Sequence, residues 1–226
     1  MYTTSKPIPY LIEDIVDTLR ATGIITDVVV SGLYSTITTD NSLQENENIE
    51  IDSVRYPVKD VTSTSFKVKG DLTGATSWKA KAPYFDYGHI LEIGNTLLEK
   101  GKTNSPVYDK YPLIILQMDY EEDRRDYSKL SISPTFYIIT STEALYKANQ
   151  RIEKKFIPEL YPLYESFIDA LVNSNLTNNK NIEHTKIDRV YWGSTAFTHN
   201  TKNMIGDHID AIELNNTQIE FNTTKC

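Results

Sequence analysis

The run Leu113-Ile114-Ile115-Leu116 constrains this chain more than any other feature. Neighbouring side chains on an extended backbone point to opposite faces, so a strand that is aliphatic throughout must be covered on both sides. The strand is expected over Tyr111–Met118, with Pro112 at its start. The flanking sequence supplies partners for it. Tyr84–Lys100 reads as a helix with Ile90, Leu91, Ile93, Leu97 and Leu98 on one face, stopped by Gly101. Leu130–Thr140 reads as the next strand, centred on Phe136-Tyr137-Ile138-Ile139.

Further on, Ser141 or Thr142 is placed to cap a helix running toward Phe156. Pro158 and Pro162 interrupt that helix, and a bend followed by a second piece to Val172 is expected. Asn173–His184 is a polar loop, Val190–Trp192 a short strand, and Ala211–Phe221 the last strand. The fold class is therefore α+β, with a mixed or antiparallel sheet flanked by helices.

The N-terminal part differs. Tyr10–Ala21 is an amphipathic helix with Leu11, Ile12, Ile15, Val16 and Leu19 on one face, and Gly23 is its expected stop. Strands are expected within Asp27–Thr38, Asn48–Asp60 and Ser63–Lys69; in the last, Phe66-Lys67-Val68-Lys69 alternates like a half-buried strand. Asp40–Asn48 is an acidic loop and Trp78–Pro83 a connector. The expected division is a helix and arm at 1–26, a small N-terminal β-rich unit at 27–80, and an α+β domain at 81–226.

Composition narrows the function. The net charge is −8, which argues against a free nucleic-acid binder, since such a protein needs a basic face to displace counterions. An acidic wall would instead let DNA pass without sticking, although plain solubility accounts for the charge more simply. The 15 tyrosines suit a surface that meets a partner, and they also suit strands. The one cysteine, Cys226, gives no internal disulfide and no cysteine-built metal site. Met1–Pro9 lacks an apolar core, so no signal peptide is expected, and no apolar run approaches the roughly 20 residues that span a bilayer.

Little here points to bond-making chemistry. His89, His184, His199 and His208 show no metal-ligand spacing. His208 lies near Asp207 and Asp210, but sequence neighbours on a strand or turn diverge; His89 suits packing or capping at the start of a helix. There is no Gly-x-Ser-x-Gly elbow and no P-loop. The Asp119–Asp126 loop pairs carboxylates as metal-assisted hydrolysis requires. It also carries Arg124, Arg125, Tyr120 and Tyr127, a mixture that suits a subunit contact or a solvated loop better.

An ordered set of features between Tyr84 and Phe221 resembles the tail-terminator and neck proteins of tailed bacteriophages. The set comprises the Tyr111-Pro112-Leu113-Ile114 strand after a helix, the strand Thr135–Thr140, and a helix containing Arg151. It continues with Leu160-Tyr161-Pro162-Leu163-Tyr164-Glu165-Ser166-Phe167, the Tyr191-Trp192-Gly193 turn, and Asp210-Ala211-Ile212-Glu213-Leu214. The resemblance implies a structural virion protein rather than an enzyme, with no cofactor and no metal. It implies a homo-oligomeric ring, hexamer or dodecamer, in the neck or head-to-tail connector. Its partners would be the portal or an adaptor and tail proteins, with DNA passing through the lumen unbound and no membrane contact. It implies location in the virion, after assembly in the host cytoplasm. The Asn- and Tyr-rich composition suits a crAss-like phage. Asp119, Tyr120, Glu121, Glu122, Asp123, Arg124 and Arg125 are the candidate lumen or inter-ring loop. Two other readings stand beside this one: a receptor- or glycan-binding virion module, and a metal-dependent hydrolase using the acidic loop and His208.

Overall fold

The computed structural model describes residues 6–19, 22–41, 43, 48–52, 54–80, 83–102, 110–124, 129–192 and 207–222. The contacts divide the chain into two units, Arg20–Ala82 and a larger one made of Met1–Leu19 with Pro83–Cys226. The first helix, α1 (Ile8–Asp17), therefore belongs with the C-terminal part. Pro7 caps it and a second proline lies in its first turn, where the missing N–H has no intrahelical partner to lose. Ile8, Ile12, Ile15 and Val16 fall on one stripe and are all buried.

The smaller unit is all β. Its strands are β1 (Thr22–Ile24), β2 (Asp27–Ser31), β3 (Tyr34–Thr38), β4 (Asn48–Ile51), β5 (Val54–Pro57), β6 (Ser65–Lys69) and β7 (Ser77–Ala80). They form two antiparallel sheets, ordered β2-β3-β6 and β1-β7-β4-β5. Alternation in β6 works as expected: Phe66 and Val68 are fully buried between the more open Lys67 and Lys69. Ile37, Ile49, Ile51, Val58, Phe66, Val68 and Trp78 make the core.

Two expectations fail here. Gly23 does not stop a helix; it lies in β1 opposite Trp78 of β7. Residues Ser77–Ala80 are a strand within a sheet, not part of a connector. One interaction explains both. The indole of Trp78 lies across Gly23, where any side chain would collide with it, and donates to Thr39 Oγ1 at 3.1 Å.

The larger unit is built on a five-stranded sheet ordered β13-β14-β12-β9-β8. These strands are β8 (Tyr84–Gly88), β9 (Leu113–Gln117), β12 (Thr135–Ser141), β13 (Thr185–Arg189) and β14 (Ile209–Asn215). The pairing is antiparallel except between β8 and β9, so the sheet is mixed. A second sheet, β10 (Glu122–Asp123), β11 (Lys129–Ile132) and β15 (Ile219–Asn222), is also antiparallel. Helix α2 (Ile90–Lys102) and the helical run α3 (Ala148–Arg151), a π-helical segment (Ile152–Leu160) and α4 (Tyr161–Asn173) complete the unit.

The aliphatic strand is covered on both faces. Ile114 and Leu116 join Phe136, Ile138, Ile212, Leu214 and the helical residues Ile12, Phe156, Leu160 and Phe167 in one core. Leu113 and Ile115 join Ile139, Ala211, Ile93 and Leu97 in another. The arrangement is α+β with a mixed sheet between helices.

Several boundaries differ from those read in the sequence. Tyr84–Gly88 is a strand, and the helix begins only after His89. The backbone N–H of Leu91 donates to His89 Nδ1 at 3.2 Å, and that of His89 to Glu92 Oε2 at 3.3 Å, so the histidine caps α2. Gly101 lies inside the last turn of α2 rather than beyond it. Leu130–Thr140 is two strands in different sheets, separated at Pro134, which has no N–H for a ladder. Ala211–Phe221 is likewise split at Asn216, whose φ of 54° turns the chain from β14 into β15. Val190–Trp192 is a bend after β13, not a strand.

The helix capped by Ser141 or Thr142 does not form. The chain first makes a loop, and Lys147 caps α3. Nor do the prolines break the run. Pro158 lies inside the π-helical segment, where Tyr161 N–H bonds Phe156 O five residues back. The wider turn accommodates a residue that lacks its donor. Pro162 falls in the first turn of α4.

Candidate functional site

The larger unit presents two built regions, at opposite ends of β12 and β14. The first is an open acidic depression of about 760 Å³. Glu121, Glu122 and Asp123 form one side, and Glu183 and Glu220 come from the loop after α4 and from β15. Asn178, Asn179, Asn181 and Gln218 supply amides between them. Among the described residues that line it there is no lysine or arginine.

The depression is held in shape by its own side chains. Asn178 Nδ2 donates to Glu220 Oε1 at 2.7 Å, and Asn179 Nδ2 to Gln218 O at 2.8 Å. Asn179 Oδ1 accepts from Glu220 N–H at 2.9 Å. A polar loop read as irregular in the sequence is thus stitched along β15, and Thr177 makes a bridge to Phe221.

Of the candidate loop residues, Glu121, Glu122 and Asp123 line the depression. Asp119 and Tyr120 do not; Asp119 accepts from Gln117 Nε2, and Tyr120 packs against the core. Burial and the neighbouring Glu122 push the Tyr120 hydroxyl above its ordinary range. Arg124 forks onto Glu122 Oε2 through Nε at 2.8 Å and Nη2 at 2.6 Å. Arg125 lies outside the described residues.

The second region is a buried ion pair that the sequence did not announce. Arg151 Nη1 donates to Asp210 Oδ1 at 2.6 Å, and neither side chain reaches solvent. Three further hydrogen bonds hold the guanidinium. Nη1 also meets Thr142 Oγ1 at 3.2 Å, Nη2 meets Glu143 O at 3.0 Å, and Nε meets Tyr146 O at 3.0 Å. The guanidinium stacks 3.6 Å from the Tyr191 ring centre, and the Tyr191 hydroxyl donates to Ala144 O at 2.8 Å. Arg151 therefore pins the loop 142–147 from inside, and that loop carries Leu145, which is 91% exposed.

These contacts bear on the hydrolase reading. Asp207 accepts from Lys110 Nζ and the Tyr111 hydroxyl, while Asp210 is committed to Arg151. The two carboxylates beside His208 are thus drawn to different partners. Among the described residues no group of three or more His, Cys, Asp or Glu is placed to hold a metal ion. His184 instead meets the Tyr164 hydroxyl at 2.8 Å. His199 and Gly193 lie outside the described residues. Trp192 is half-buried, its ring 4.6 Å from that of Tyr137. No described helix is long and apolar enough to cross a membrane.

Arg151, Tyr191 and Asp210 thus form one contact network. No protein-family model matches the chain, and no curated protein matches it.

Proposed function

We propose that this chain is a structural ring protein of a tailed-phage virion, placed in the neck or head-to-tail connector. The observation that carries this reading is the separation of two unlike surfaces. The acidic depression lies beside the start of β12 and the end of β14, whereas the pinned Leu145 loop leaves the opposite end of β12, where Ser141 pairs with Ile209 at the start of β14. Seven-residue strands at about 3.3 Å per residue put the two roughly 20 Å apart. Different surfaces at opposite ends of one body are what head-to-tail association requires, and such association closes into a ring when the rotation allows.

The depression suits the lumen or the seam between rings. Its carboxylates repel phosphate, so DNA passes with little friction. The test is charge reversal of Glu121, Glu122 and Asp123, the loop residues that line the depression, to Lys. Rings seen by negative stain for the wild type should be lost in the variant, with the melting temperature unchanged. Intact rings from the variant would remove the loop from assembly.

A second reading follows from the amides in the depression. Asn178, Asn179 and Asn181 beside carboxylates form a surface suited to sugar hydroxyls. Among the described residues no aromatic side chain lines it, whereas sugar sites commonly stack a ring face on one. Saturable binding of oligosaccharides by a non-ring form would favour that reading.

A further inference from the structure

Strand β2 lies at the edge of its sheet and pairs only with β3 among the described residues. Its sequence, Asp27-Val28-Val29-Val30-Ser31, contains neither lysine nor proline, two residues commonly used to blunt a free edge. Its side chains are open: Val29 is 55% exposed and Val30 41%. Leu33, at the tip of the β2–β3 turn, is 71% exposed. A two-residue turn at Gly32-Leu33 closes the hairpin with Ser31 opposite Tyr34. By the alternation of an antiparallel ladder, Val28 and Val30 then aim their N–H and C=O groups outward.

We propose that β2 is a contact between two copies of this chain, the strands pairing antiparallel about Val29. The pattern of the strand selects this partner. Polar-Val-Val-Val-polar reads the same in both directions, so the strand complements itself in reverse. Val29 faces Val29, Val28 faces Val30, and Asp27 faces Ser31 across the axis. The sole charged residue of the strand meets a hydroxyl rather than its own copy, which avoids the penalty of like charges placed opposite each other. The paired sheet runs β6-β3-β2-β2-β3-β6 through both copies. This contact is isologous, so it stands apart from the ring reading and holds whether or not rings form.

The full chain tests it by cysteine trapping. With Cys226→Ser removing the native thiol, Val29→Cys places two thiols across the axis. A non-hydrogen-bonded pair brings its Cα atoms to about 4.5 Å, within disulfide reach. Mild oxidation should give a covalent dimer at least about tenfold faster than Leu33→Cys, whose thiols lie far apart in this register. In sedimentation velocity, Val29→Lys should remove the concentration-dependent dimer of the wild-type chain, since two lysines then meet. Equal trapping at both positions, or dimerisation unchanged by Val29→Lys, overturns the proposal. Rings that form without preferential trapping at Val29 overturn it too and leave the ring reading intact. A trapped dimer without rings supports it while counting against that reading.

Discussion

Arg151 and Asp210 lie 59 residues apart in the chain and meet at 2.6 Å with no solvent access to either. Asp210 Oδ1 also accepts from Tyr191 N–H, while its Oδ2 has no hydrogen-bond partner among the described residues. The pair joins the start of the long helical run to β14, and Arg151 also fixes the loop 142–147 that leads into that run. Breaking one side leaves a buried charge uncompensated, which costs about 3–5 kcal/mol. Asp210→Leu and Arg151→Met should each destabilise the protein by that order in urea denaturation. The double variant should cost clearly less than the sum of the two, because no lone charge remains. Strict additivity would mean that the pair is not coupled.

Gly23 is required by the ring that crosses it. A Cβ there would lie 2.2 Å from Trp78 Nε1 and 2.4 Å from Cε2. Overpacking of this kind costs about 1–3 kcal/mol, so Gly23→Ala should destabilise the smaller unit by that amount. The chain has two tryptophans, Trp78 and Trp192. In a Trp192→Phe background, the fluorescence of Trp78 reports that unit alone. An unchanged transition midpoint would show that the strand can shift to admit a side chain.

Glu213 makes stability depend on acid. Burial would raise its carboxyl, but hydrogen bonds from Arg189 at 2.7 Å and Asn215 at 2.7 Å outweigh that and hold it below its ordinary value. A carboxylate lowered in the folded state stabilises fully above its unfolded value. That stabilisation is lost as pH falls through the folded value. Glu213→Gln should therefore cost about 1 kcal/mol at pH 7, and wild type and variant should converge in acid, below the ordinary carboxylate range. A difference that stays constant through the acid range would remove Glu213 from the pH dependence.

Asn179 holds the wall of the acidic depression through both ends of its amide, to Gln218 O and from Glu220 N–H. Asn179→Ala should cost about 1 kcal/mol and speed amide exchange in residues 178–183. Exchange that rises equally throughout the protein would mean a global loss of stability instead.

The parts of this fold that can be read in the sequence are those fixed by local pattern. Leu113–Leu116 needs cover on both faces and has it; Phe66 and Val68 alternate with lysines and are buried. The misreadings have particular causes. The aromatics Tyr84 and Tyr87 continue the spacing of Ile90 and Leu91 backwards, so strand β8 reads as a first helical turn. Pro134 carried a strand-ending signal that the apolar run around it obscured. Pro158 looks like a break because the π register that admits it leaves no mark in composition. The acidic loop was legible, but not Glu183 and Glu220, which only the pairing of β15 brings beside it. The partnership of Arg151 with Asp210 depends on the whole sheet and has no local sign.

The central claim is head-to-tail assembly, and the most direct measurement is the native mass of the purified chain together with the symmetry of its particles in negative stain. The account predicts a closed particle of six or twelve copies with a central opening. A chain that remains monomeric or dimeric at every concentration, with no ring in any image class, would contradict it.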